Sequence, residues 1–258
     1  MKRTNLVLRS LLLAAAALGG TAAQAAGGHA MPYRFETDLG NQASLQRGAR
    51  NFMNYCAGCH SLSHLRYGRM AQDLGIPEDL LARHLMFTTD KPGDHIVSAI
   101  PADAQAWFGA KPPDLTLETR MRGADWVYNY LMTFYVDDSR PLGTNNLMLP
   151  GASMPHVLGE LQGWQVEDEA AHAEGDTGDT ATQGHGADAG SGLRLAVEGQ
   201  LDEAEFEKFV ADTVNFLAYA AEPGRADRIS VGLWVMLFLV LFTVLAYLLK
   251  REYWKDVH

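Results

Sequence analysis

At 258 residues, with 47% hydrophobic side chains, the chain is long enough to bury a sizeable core, and its 21 Lys and Arg against 31 Asp and Glu leave a net charge of −10. This acidity excludes nucleic acid as a partner, because a phosphate backbone is held by clustered cations. Basic proteins are the natural partners of such a surface.

Lys2, Arg3 and Arg9 flank an apolar run from Leu11 to Leu18, and Ala23-Gln24-Ala25 supplies small residues for cleavage. This predicts a cleavable signal peptide over residues 1–25, since the apolar run is short for a membrane span. Residues 26–228 then form an exported body with 15 Lys and Arg against 29 Asp and Glu, a formal charge of −14.

Leu45, Ala49, Phe52 and Tyr55 or Cys56 recur at spacings of three and four, which predicts a helix leading into Cys56-Ala57-Gly58-Cys59-His60. That run is the C-x-x-C-H haem attachment pattern, and it holds both cysteines of the chain. Two thiols at this spacing form thioethers with the two vinyl groups of one haem c, and His60 is placed to ligate its iron. A C-x-x-C redox pair would want a βαβ context, which the flanking residues lack. With both thiols committed, no structural disulfide is expected.

Pro77 with Glu78 and Asp79 marks a helix start ahead of Leu80, Leu81, His84 and Leu85. Trp126, Val127, Tyr130, Leu131 and Phe134 form a further apolar stripe. The loop Leu149-Pro150-Gly151-Ala152-Ser153-Met154-Pro155 then offers a thioether on a Pro- and Gly-bracketed segment, where a side chain can be aimed inward. The sixth iron position decides the chemistry: an electron carrier closes it with Met or His, whereas a peroxidase or sensor leaves it open. Local context makes Met154 the first candidate, Met148 its rival and His156 a third choice, with Met121 and Met132 read as core filler.

Residues 167–192 are rich in Gly, Ala, Thr, Asp and Glu, with almost nothing to bury, and read as a flexible acidic loop. Its flanks, Leu161 to Val166 and Leu193 to Val197, alternate weakly and predict a short antiparallel hairpin. From Asp202 to Ala221 a fourth stripe, including Phe206, Phe209, Val210, Phe216 and Leu217, predicts a helix that Glu222-Pro223-Gly224 stops. Residues 229–249 are apolar apart from Ser230, Gly232 and Thr243, and as a helix would reach about 31 Å, the thickness of a hydrocarbon core. Lys250, Arg251 and Lys255 follow, so the positive-inside rule predicts a cytoplasmic tail over 250–258 and a periplasmic body.

The order of Gln46-Arg47-Gly48, Cys56-Ala57-Gly58-Cys59-His60-Ser61, Pro112-Pro113-Asp114-Leu115 and Ala221-Glu222-Pro223, followed by a single span, resembles the cytochrome c1 family. These are the haem subunits of quinol:cytochrome c oxidoreductase, the bc1 complex. The resemblance covers nearly the whole mature chain. It implies a mainly α, cytochrome c-like haem domain with irregular insertions, a short β-hairpin and one C-terminal transmembrane helix in the inner membrane. It further implies that Met154 is the sixth ligand, that Arg120 or its near alternative Arg122 pairs with a haem propionate, and that Pro113 packs on the haem face. The implied partners are cytochrome b, the Rieske iron-sulfur subunit as donor and a soluble c-type cytochrome as acceptor. The acidic loop departs from the family pattern as an insertion. An anchored carrier serving another oxidase or reductase, or an open-site haem peroxidase or sensor, are the competing readings.

Overall fold

The computed structural model describes residues 31–101, 103–168 and 191–255. The predicted signal peptide and most of the acidic loop lie outside them. In chain order the elements are α1 (Gln42–Tyr55), β1 (Leu62–Arg66), α2 (Tyr67–Leu74), α3 (Glu78–His84), β2 (His95–Ile96), α4 (Gln105–Phe108), α5 (Glu118–Met121) and α6 (Ala124–Met132). They continue as β3 (Phe134–Val136), β4 (Thr144–Asn146), α7 (Gly159–Gln162), β5 (Gly163–Glu167), β6 (Leu193–Glu198), α8 (Glu203–Ala221) and α9 (Arg225–Tyr253).

The core is built where α1 crosses α8. Asn41 caps α1 by accepting from the Ser44 N–H, and Asp202 with Glu205 forms a capping box on α8, so both helices start where their apolar stripes do. Ala49, Phe52, Val210, Val214 and Phe216 are fully buried between them, with the Phe52 and Phe216 rings 5.8 Å apart. The close approach needs Gly48, because a β-carbon there would stand 2.0 Å from the Asp212 carbonyl oxygen. α5 and α6 pack on the same helix. The extended segment before α1 is tied down by Asn129, which accepts from Tyr33 N–H and donates to its carbonyl, and by Asn215, which does the same for Asp38.

The predicted hairpin is present: β5 and β6 pair antiparallel, Trp164 facing Val197 and Glu167 facing Leu193. It begins at Gly163 rather than Leu161, since Leu161 and Gln162 close α7 and Gly163 turns the chain at φ +93°. Two further pairs, β1 with β2 and β3 with β4, were not legible. Phe134, expected on the stripe of α6, instead opens β3 opposite Asn146. The helix ends at Met132; the Thr133 hydroxyl donates back to the Asn129 carbonyl at 2.7 Å and the chain then extends.

The membrane span is a 29-residue helix, longer at both ends than the apolar run that predicts it. Its apolar side chains, Leu233, Trp234, Phe238 and Leu245 among them, face outward. Its length and composition are those of a helix able to cross a membrane. An ion pair between Arg228 and Glu222 ties its first turn to the elbow at Pro223-Gly224.

Candidate functional site

The Cys56–His60 segment continues from the end of α1 as one tight turn. Cys56 N–H donates to the Phe52 carbonyl at 2.8 Å, and His60 N–H donates to the Cys56 carbonyl at 2.8 Å. Both thiols are free, Cys59 exposed and Cys56 half-buried. Burial, followed by the neighbouring Cys59, pushes the Cys56 thiol up to about 12. A redox-active C-x-x-C lowers the pKa of its attacking thiol, so this pair has the opposite electrostatics.

His60 is oriented from across the chain. Its Nδ1 lies 2.8 Å from the Pro113 carbonyl oxygen. A carbonyl can only accept, so Nδ1 carries the proton and Nε2 keeps the lone pair that a metal requires. Burial lowers the His60 pKa, outweighing the Pro113 bond and the Glu118 and Asp114 charges, which also favours neutral imidazole.

Pro113 is held in place by the residues around it. Leu115 N–H donates to the Ser61 carbonyl at 2.9 Å. Asp114 accepts from Ser63 N–H at 2.8 Å and from Thr116 N–H at 2.9 Å. The Pro-Pro-Asp-Leu run is therefore a latch: its aspartate docks the segment beside the cysteine turn, and its second proline offers a backbone acceptor to the histidine. Asp114 was not singled out from sequence; the signal for it was the Asx-turn spacing to Thr116.

The two arginine candidates separate. Arg122 Nε pairs with Glu118 Oε1 at 2.5 Å, and its guanidinium sits 4.3 Å above the centre of the Trp126 ring. Arg120 is exposed and makes no ion pair with the described residues. Arg120 is thus the one of the two free to meet an external carboxylate.

Among the sixth-ligand candidates, Met154 is half-buried at the edge of the main core, whereas Met148 is 5% exposed and packed inside. His156 stacks on Phe134 with ring centres 5.0 Å apart and meets the edge of Trp164 at 5.7 Å. Burial pushes its pKa down to about 4, so it is a neutral member of an aromatic stack. Met132 is buried as expected of core filler, but Met121 is 68% exposed. The short helix α5 turns Thr119 inward, its hydroxyl donating to the Leu217 carbonyl, and leaves Met121 outside.

Two hollows of about 550 and 440 Å³ lie elsewhere, one beside Arg50, Tyr55 and Phe209, the other beside Gln162, Gln165 and Phe206. Neither is lined by His60 or Met154. The donor chemistry fits a covalently held haem: two free thiols on one turn, a neutral imidazole of fixed tautomer, a thioether in a small-residue loop and an unpaired guanidinium.

Residues 35–257 match the model of the cytochrome C1 family. The chain is 50% identical to a cytochrome c1 of Allochromatium vinosum over 98% of its own length and 99% of that protein. It is 41% identical to a protein of Nitrosomonas europaea named ammonia monooxygenase gamma subunit, over 86% of each chain. It is 30% identical to a cytochrome c1 of Rhodospirillum rubrum over 98% of its length and 99% of that chain.

Proposed function

Because the chain belongs to the cytochrome c1 family, the membrane-anchored haem subunits of bc1 complexes, we propose that Cys56 and Cys59 would hold one haem c and that His60 and Met154 would ligate its iron. When bound, that group would supply one-electron chemistry. Pro113 fixes the donor tautomer of His60, Arg120 pairs with a propionate, and the Met154 thioether favours the reduced state. The Rieske iron-sulfur subunit is the electron donor and a soluble basic cytochrome c the acceptor, drawn by the acidic body. Quinol oxidation belongs to cytochrome b and the iron-sulfur subunit, so this chain makes and breaks no bond by itself. The body lies in the periplasm and the C-terminus in the cytoplasm, a reading that Lys250, Arg251 and Lys255 support through the positive-inside rule.

The observation that carries this reading is the 2.8 Å contact from His60 Nδ1 to the Pro113 carbonyl beside two free thiols. The relative named as a monooxygenase subunit favours a second reading, an anchored c-type carrier serving a different oxidase. Purification from native membranes tests both. The expected result is co-purification with a cytochrome b and an iron–sulfur protein, with quinol-dependent reduction of the haem. Recovery with oxygenase subunits instead would replace the first reading by the second.

A further inference from the structure

The segment carrying Met154 follows β4, and two asparagines that sequence reasoning passed over hold its backbone. Asn146 Oδ1 accepts from the N–H groups of Met148 at 2.9 Å and Leu149 at 3.2 Å, while its Nδ2 donates to the Tyr130 carbonyl on α6 at 2.7 Å. Asn145 reaches further along. Its Oδ1 accepts from Gly151 N–H at 2.8 Å, and its Nδ2 donates to Asp137 Oδ2 at 2.9 Å. Asp137 in turn accepts from the Ser139 N–H and hydroxyl at 3.0 and 2.6 Å, which fixes the turn between β3 and β4.

Arg140 also lies close to Gly151. Gly151 sits at φ +80°, and a β-carbon there would meet Arg140 Nη2 at 3.3 Å. Met154 lies three residues on, and three residues of extended chain reach about 10 Å. Fixing Gly151 therefore confines the space open to the thioether, and releasing it widens that space. Among the described residues, the backbone N–H groups from Gly151 to Met154 make two hydrogen bonds, that of Gly151 to Asn145 and that of Ala152 to the Leu149 carbonyl at 3.0 Å.

We propose that Asn145 is a positioning residue for the sixth ligand: the relay Asp137–Asn145–Gly151 clamps the loop so that Met154 stays on the iron. The inference rests on the reading of Met154 as that ligand. A structural role in the hairpin alone would affect stability but not ligation. The clamp instead couples one side-chain hydrogen bond to iron accessibility and potential.

The test uses the full membrane-bound chain with haem attached. In Asn145→Asp the acceptor for Gly151 is kept, but two carboxylates then face each other where a 2.9 Å hydrogen bond stood. In the double variant Asp137→Asn with Asn145→Asp, donor and acceptor exchange sides and the bond is restored. The expected result for Asn145→Asp is a lower midpoint potential, a weakened methionine–iron charge-transfer band and about a fivefold rise in the carbon monoxide-binding fraction, the weight of one net hydrogen bond. The double variant should return all three towards the parent values. Should Asn145→Asp yield too little haem protein, Asp137→Asn reports the same contact with a smaller shift. Met154→Leu is measured alongside. If it changes potential and carbon monoxide binding while Asn145→Asp and Asp137→Asn change neither, the clamp is overturned and the ligand stands. If the double variant fails to recover, the effect is general loosening and the clamp is overturned. If Met154→Leu itself changes nothing, the ligand assignment falls and the clamp falls with it.

Discussion

Arg47 grips Asp212 through two bonds, Nε to Oδ2 at 2.5 Å and Nη2 to Oδ1 at 2.9 Å, while the next residue, Gly48, lies against the backbone of the same Asp212. A charge clamp and a steric gap thus act at one point of the α1–α8 crossing, on helices far apart in sequence. Since the Cys56 turn is the direct extension of α1, this crossing is also what aims the haem motif.

Gly48→Ala cannot be absorbed locally, because the new β-carbon meets main chain rather than a flexible side chain. The helices must separate, and the expected cost is about 3 kcal/mol or more. Arg47→Ala should cost less, about 1–3 kcal/mol: Asp212 loses its partner, but Arg47 is itself partly solvated. Chemical denaturation of the haem-loaded chain checks the order, and equal losses would contradict it.

Acid should loosen the Pro-Pro-Asp-Leu latch. Burial alone would raise the Asp114 pKa, but hydrogen bonds from Ser63 and Thr116 outweigh it and hold the carboxyl below its ordinary value of 3.8. A depressed folded pKa adds stability that is fully present above the unfolded value and is lost as pH falls through the folded one. Asp114→Asn should therefore cost about 1 kcal/mol at pH 7 and flatten the decline of Tm below pH 4. Parallel Tm curves for the two proteins would remove the latch.

The free cation and the engaged one should behave differently. Arg120→Gln is expected to lower the haem potential by about 20–40 mV, the size of one partly screened ion pair. Arg122→Gln breaks contacts to Glu118 and Trp126 and should reduce stability instead. Redox titration of both variants decides, and the opposite pattern would exchange their roles.

Ending the chain after Arg228 should give a soluble haem protein whose melting curve matches the full chain in detergent. Glu222 keeps its partner Arg228, and the removed side chains cover no part of the body. A Tm lower by several degrees, or poor haem incorporation, would mean that the span supports the fold.

What the amino-acid sequence determined by itself was whatever depends on neighbours along the chain. Cys56, Cys59 and His60 predict haem attachment because thioether spacing is local covalent chemistry. The α1 and α8 stripes, the stop at Pro223, the β5–β6 hairpin and the span all follow from periodicity and breakers within a single element. Only the tertiary structure decided which backbone groups orient those side chains. His60 meets Pro113 across 53 positions, and Arg47 meets Asp212 across 165. It also separated Arg120 from Arg122, placed His156 in an aromatic stack and brought Asn145 onto Gly151. Hydrogen bonds of this kind are set by where packed elements bring a donor to an acceptor, and no periodicity in one dimension records that.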